Sequence, residues 1–557
     1  MINSVLTPTL LWQDYDPAAL PLRTSFVKYD GLGDGAFGFG AYFDAVEAED
    51  GAVRVYACGK LRPSSDKTIV FVGEPWDKSV PRQFEELIAS IPAGIVYADY
   101  AAQGADGGAT SYPMSLDYGE YRDGNAHFDR ADPTAADSCQ FLWTKVIRRT
   151  ITFVKSVLPH TSIVLVGAGI GADMVWQCAG TDARVDAIVP ICNAGWREYR
   201  NVFRYGGSDA LEEELSDLPD EITDERNRWL MGCAAQSYAK FVKCPCLYVG
   251  GTNNTVTDID RVEATLSLLP DGRAFKTFYP NCSTILPLSW LTTLGKFIKS
   301  IGSAEGFCYA SPEAELVQRD GYVGANISFK CDDPDVKLTL HYAYNEYDPS
   351  LRSWHPTEVG KGTARCVVPM ADYADCVFCF VTAEYPDGVA LSSYVTFLRA
   401  DDDTVKEPVR RSHIVYERKT GLGEFWADNP SDYLTGEKPV LKNGPFDIPG
   451  ISCGNADLVT YAVGEDKYSR EDNSFLQFDA AAEQDRELEV DVVSKEGTAA
   501  TTYRTVCHLK GGEWTKCSLS PSMFKTDELK PLRDWAGVKR LTFVKMNGCI
   551  VKNILWV

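Results

Sequence analysis

Histidine is scarce in this chain of 557 residues: there are six, and only His127 and His160 precede residue 303. That leaves few candidates for a general base that works near neutral pH. Positive charge is short as well, with 55 Lys+Arg against 78 Asp+Glu and a net charge of −23. Phosphate backbones and anionic membrane surfaces recruit clustered cations, so neither nucleic acid nor membrane is an expected partner. No apolar run approaches the ~18 residues of a membrane span. The first residues, Met1-Ile2-Asn3-Ser4-Val5-Leu6, lack the basic and apolar regions of a signal peptide. A cytoplasmic location is the expectation, with a processed secreted form as the alternative.

Cysteine is plentiful, but its 17 copies are odd in number and scattered. Cys244-Pro245-Cys246 is too close for a C-x-x-C site, and Cys376-Val377-Phe378-Cys379 has no second pair nearby. Most are expected as small buried side chains in a reducing compartment, with no metal bound.

The length implies two to four domains, and 45% hydrophobic with 24% charged residues is ordinary for globular chains. Aromatic and glycine-rich alternation over 24–61 predicts an antiparallel pair of strands. Short apolar runs at 68–72, 94–98, 163–166, 187–191, 246–249 and 275–279 alternate with helical patterns at 82–90, 138–157, 259–269 and 286–301. An acidic helical insertion is expected over 211–239. This alternation predicts a mostly parallel sheet with helices on both faces, forming one α/β domain over 1–303. From about 306 the texture becomes short alternating strands. A β-sandwich of immunoglobulin or fibronectin type is expected over 304–400, a charged linker over 401–411 and a jelly-roll-like sandwich over 412–557.

The stretch after the run at 163–166 organises the first domain. Gly167-Ala168-Gly169-Ile170-Gly171 joins a strand to a helix and has the frame of G-x-S-x-G, the turn that lifts a nucleophile above an α/β sheet. Its central position is Gly169, which has no reactive atom. The same residues with Ala172 fit the dinucleotide pattern G-x-G-x-x-A, but the next strand ends in Cys192-Asn193 without the acidic residue that pattern needs. No cofactor is expected.

Residues 1–303 resemble the α/β-hydrolase superfamily. The loop from Asp99-Tyr100-Ala101-Ala102-Gln103-Gly104 to Tyr112-Pro113-Met114-Ser115-Leu116-Asp117-Tyr118 is similar to acetyl xylan esterase and cephalosporin deacetylase-type members. Residues 412–557 resemble the jelly-roll carbohydrate-binding modules joined to such esterases, through their tryptophan-bearing final strands. The family order of nucleophile, acid and histidine implies positions for each. They fall at Gly169, at Asn254 after the run 246–249, and on the loop 280–287, which carries Cys282 and Ser283 but no histidine. The oxyanion loop is Gly73-Glu74-Pro75-Trp76, where Pro75 has no N–H and Glu74 would repel an oxyanion if it pointed inward.

Other chemistries start from Cys282 or Cys192 as nucleophiles, each without a neighbouring histidine, or from Glu74 with Asp99 as an acid–base carboxylate pair. In the β-rich half, Trp514 and Trp535 are candidates for sugar stacking, and Trp556 reads as core. Tyr342 and Tyr344 share one strand face, serving either as core or as a binding strip. The expected function is non-catalytic: a degenerate esterase that binds carbohydrate or a protein partner. Its ligand candidates are Gly169, Ile170, Glu74, Trp76, Asn254, Cys282, Ser283, Trp514 and Trp535. The alternatives are an acetyl xylan-type esterase with rearranged residues and a structural protein that assembles with itself.

Overall fold

The apolar runs of the first domain become the middle of a sheet. The computed structural model describes all residues except 1–4, 33–34, 79, 123–129, 198–203, 206–223, 332, 361–363, 429–437, 469 and 498. Nine strands, β1 (Ser25–Leu32), β2 (Ala36–Ala48), β3 (Gly51–Leu61), β4 (Lys67–Val72), β5 (Gly94–Ala98), β6 (Ser162–Ala168), β7 (Val185–Ile191), β8 (Cys246–Gly251) and β9 (Ala274–Tyr279), lie in the order β1-β2-β3-β5-β4-β6-β7-β8-β9. The first three are antiparallel and β4 through β9 are parallel to one another. The parallel strands are covered on both faces, which is why they read as unbroken apolar runs.

The region 24–61 holds three strands where a pair was expected. All eight residues of β1 are exposed at the sheet edge, so no buried face left a pattern in its sequence. After the short α1 (Pro8–Trp12), the helices divide between the two faces. On one face α3 (Cys139–Val157) and α4 (Ile170–Thr181) pack on the core that includes Phe43, Trp143 and Trp176. The start of α3 is held by Ser138, whose Oγ accepts the Phe141 N–H at 3.2 Å. On the other face α2 (Arg82–Ala89) and the helix Trp290–Ser300 cover Phe71, Val166 and Val189. Of the expected insertion, the helices Asp224–Gly232 and Ala235–Ala239 are described, and 211–223 lies outside the described residues.

Two all-β sandwiches follow the α/β domain. The first pairs a three-stranded sheet (Glu313–Arg319, Tyr322–Ser328, Arg365–Val367) with a five-stranded one built on Lys337–Tyr344 and Cys376–Glu384. The second packs a six-stranded against a five-stranded sheet around Phe478, Phe543 and Trp535. All 17 cysteines are free thiols.

The three bodies share buried contacts. The middle sandwich covers the free edge of β9, where the Phe278 N–H donates to Ser392 Oγ at 3.0 Å and the rings of Phe278 and Phe380 lie 5.9 Å apart. Arg352 reaches from this sandwich to Asp260 with two bonds of 2.6 Å. Glu346 of the middle sandwich meets Lys495 at 2.6 Å and Lys539 at 3.3 Å in the last one.

His341 lies in this joint, stacked on Phe380 at 4.7 Å, and burial lowers its pKa to about 4. The unfolded chain therefore binds the proton first as pH falls, because its histidine titrates near 6.5. Stability from this residue is complete above pH 6.5 and declines towards pH 4, by about 3 kcal/mol in all. His341→Phe is expected to flatten that part of the pH–stability curve relative to the parent. Parallel curves for the two proteins between pH 7 and pH 4 would show that His341 is not the source.

Candidate active site

The chain leaves β6 through Gly169 with φ 53° and ψ −119°, the sharp turn of a nucleophile elbow. A side chain at such a φ is strained, and here there is none. The Gly169 N–H donates to the Ile191 carbonyl at 3.0 Å, and its own carbonyl accepts from Asn193 Nδ2 at 2.8 Å. Gly171 brings α4 against β4: a Cβ there would stand 2.3 Å from the carbonyl oxygens of Val72 and Gly73. The glycines thus serve close strand–helix packing, and the elbow is complete except for its nucleophile.

The oxyanion position is occupied from within. In α/β-hydrolases the N–H of the residue after the nucleophile and an N–H from the loop after an earlier strand hold the developing oxyanion. Here the Ile170 N–H donates to Glu74 Oε2 at 3.0 Å. The loop after β4 has therefore placed a carboxylate where it would otherwise supply a donor. The Glu74 N–H itself donates to Asp77 Oδ2 at 3.1 Å, and Pro75 has none. A carboxylate at the N-terminus of α4 is favourable for the helix and repels a second anion.

The other family positions are internal as well. Asn254 Oδ1 accepts the N–H groups of Val256 (2.7 Å) and Thr257 (3.2 Å), and its Nδ2 donates to the Ser283 carbonyl at 3.3 Å. This amide ties the acid loop to the histidine loop, and it also borders a cleft of about 440 Å³ with Trp196 and Ser350. Burial pushes the Cys282 thiol well up, and Asp428 adds to that, outweighing Lys438. Burial likewise pushes Cys192 up to about 12. Neither thiol is set up as a thiolate nucleophile. Asp99 is corrected as an acid–base partner of Glu74: its carboxylate accepts the N–H groups of Gln103, Gly104 and Thr110 at 2.8–3.1 Å and organises its own loop. Glu74, Cys192, Asn193, Asn254 and Cys282 are all buried.

Among the described histidines, His160 is exposed at the opposite end of β6 from the elbow. His355 Nε2 lies 3.1 Å from Glu465, and His508 is exposed beside Glu487 at 3.3 Å. His127 lies outside the described residues. His355, Glu424 and Glu465 converge closely enough for a metal, but Lys467 Nζ stands 3.3 Å from Glu424 and 3.1 Å from Glu465 and supplies the cation itself.

Trp76 is 41% exposed, with its ring 5.8 Å from Tyr121, and is available at the surface. Trp535 is corrected: it is 0% exposed in the core of the last sandwich and cannot stack a sugar. Trp514 is half-buried, with Lys552 Nζ 4.2 Å over its ring and its Nε1 donating to the Pro445 carbonyl at 3.0 Å. Two groups at the elbow were not legible in sequence. Asn193 holds the Gly169 carbonyl, and Asp428 of the last sandwich accepts from Thr284 Oγ1 at 3.2 Å, a contact 144 residues apart that no local pattern marks.

No family model and no curated protein matches this sequence. Solved structures do resemble it. Acetyl xylan esterase 1 from Thermoanaerobacterium sp. JW/SL YS485 is 15% identical with a TM-score of 0.39, and the match covers 51% of this chain and 90% of that one. An acetyl xylan esterase from Paenibacillus sp. R4 is 16% identical at TM-score 0.38, over 51% and 90% of the two chains. An esterase of Pyrococcus furiosus is 16% identical at TM-score 0.30, over 51% and 95%. The first domain has an α/β-hydrolase fold. That assignment rests on the strand order and the elbow described above.

Proposed function

We propose that this chain is a non-catalytic relative of the esterases that acts by binding. The observation that carries the reading is the Glu74 carboxylate on the Ile170 N–H, directly beside a nucleophile position that has no side chain. Acyl transfer needs a nucleophile, a base within hydrogen-bond reach and donors aimed at the oxyanion. Gly169 supplies no nucleophile, and a carboxylate faces the donor. The elbow then serves as scaffold, and ligands meet outer surfaces such as Trp76 and the half-buried Trp514.

Two assays test this. Hydrolysis of p-nitrophenyl acetate and of acetylated xylan is expected at the buffer rate, for the parent and for Gly169→Ser alike, because a serine alone still lacks a base. Saturable turnover that is lost in Cys282→Ala or Glu74→Gln would replace this reading with a rearranged esterase. The ligand class is decided by retention on immobilised xylan, mannan, pectin and starch beside Trp76→Ala and Trp514→Ala. Retention lost on substitution supports carbohydrate. No retention on any polymer directs the binding role to a protein partner.

A further inference from the structure

A second concave site lies far from the elbow in sequence, where β9 meets the middle sandwich. It is a cleft of about 710 Å³, walled by the loop after the helix Val262–Leu266 on one side and by residues 311–314 and 394–397 on the other. Its side walls are aromatic. Tyr205 stacks on Phe397 at 4.9 Å and is pinned by its hydroxyl, which donates to the Val395 carbonyl at 3.1 Å.

Lys276 projects into this cleft from the middle of β9. The residue is only 5% exposed, and its Nζ lies 3.8 Å from the centre of the Tyr394 ring. Among the described residues no hydrogen-bond acceptor is paired with Nζ, and Glu313 and Glu263 act on it through their charge alone. A buried ammonium is ordinarily paired, because desolvation without a partner is costly. Among the described residues the group in direct contact with its Nζ is the Tyr394 ring, whose face recovers part of that cost. The wall across from it carries a second unmatched group, the Ser311 hydroxyl, which is buried without a hydrogen-bond partner. The rim carries Glu263, Asp271 and Glu313. That acidic rim disfavours an anionic ligand and the Lys276 side chain a cationic one, which leaves a neutral one.

We propose that Lys276 is a reactive amine that captures small neutral aldehydes entering this cleft as imines. The amine lone pair attacks the carbonyl carbon and a C–N bond forms, while the carbonyl oxygen takes up a proton to become a hydroxyl. That hydroxyl leaves as water, nitrogen gives up its remaining protons, and a C=N bond results, with no oxidant or reductant required. Burial supports the chemistry by lowering the Lys276 pKa to about 8, outweighing the opposing charges of Glu313 and Glu263. At pH 7 this leaves on the order of a hundredfold more free amine than an ordinary lysine near 10.4.

The test uses the full chain with glycolaldehyde as probe. Sodium cyanoborohydride traps imines during a short exposure at pH 7, and peptide mass spectrometry locates them. Lys276 is expected to be modified at least roughly tenfold faster than exposed lysines, with a rate that levels off above pH 8. Lys145 is an internal control, since burial also lowers its pKa to about 8 but it lies against the Phe141 ring and does not border this cleft. Lys276→Met should abolish the fast label with an unchanged circular dichroism spectrum. If that variant fails to fold, the site map of the parent protein decides. Labelling of Lys276 no faster than that of exposed lysines, or equal labelling of Lys145 and Lys276, overturns the proposal.

Discussion

Arg352→Met is expected to cost about 3–5 kcal/mol, the range for breaking one side of a buried ion pair. Arg352 and Asp260 have side chains only 0% and 1% exposed, and they meet through two parallel bonds of 2.6 Å. The guanidinium also lies 3.6 Å from the centre of the Phe378 ring, and its Nε donates to the Glu346 carbonyl at 2.8 Å. Removing the arginine leaves the Asp260 carboxylate buried without its cation, at the seam between the α/β domain and the middle sandwich. Unfolding of a three-domain chain need not be two-state, so hydrogen exchange at the seam is the better readout beside a denaturant curve. Protection should fall first around 258–262 and 345–355. The double variant Arg352→Met, Asp260→Leu should recover much of the loss, since replacing both charges by apolar groups removes the desolvation cost. An Arg352→Met protein with unchanged protection in both segments would refute the assignment.

Trp535→Ala should destabilise the last sandwich by about 3–5 kcal/mol, as large-to-small core substitutions do. The ring lies 5.5 Å from Phe524 and 5.0 Å from Trp556, and its Nε1 donates to the Ser474 carbonyl at 2.7 Å. Truncation opens a cavity and strands that carbonyl together. Loss of near-ultraviolet circular dichroism and an early transition of this domain are expected. Trp514→Ala should cost about 1 kcal/mol, because the half-buried ring loses one hydrogen bond and one cation contact. A Trp535→Ala protein that keeps the parent's unfolding curve but loses polysaccharide retention would reinstate the sugar-stacking role.

The local features were legible because each depends on neighbours in sequence. The run 163–166 and the glycines after it specify a buried strand and a tight turn, and the structure places Gly169 at the elbow with φ 53°. The parallel strands were visible as apolar runs because both faces are covered. By the same logic β1 was missed, because its eight residues are all exposed.

The sequence by itself determined the layout: an α/β domain ahead of two β-rich modules, glycine at the centre of the turn after 163–166, and no histidine on the loop 280–287. Only the tertiary structure decided what fills the space. The same Glu74 could have faced solvent, and Trp535 could have faced a ligand. The fold turned Glu74 onto the Ile170 N–H, buried Trp535 against Trp556, joined Asp260 to Arg352 and set Lys276 over the Tyr394 ring. The first three pairs lie from 21 to 96 residues apart, and a side chain's chemistry depends on the burial and charge that such distant partners impose.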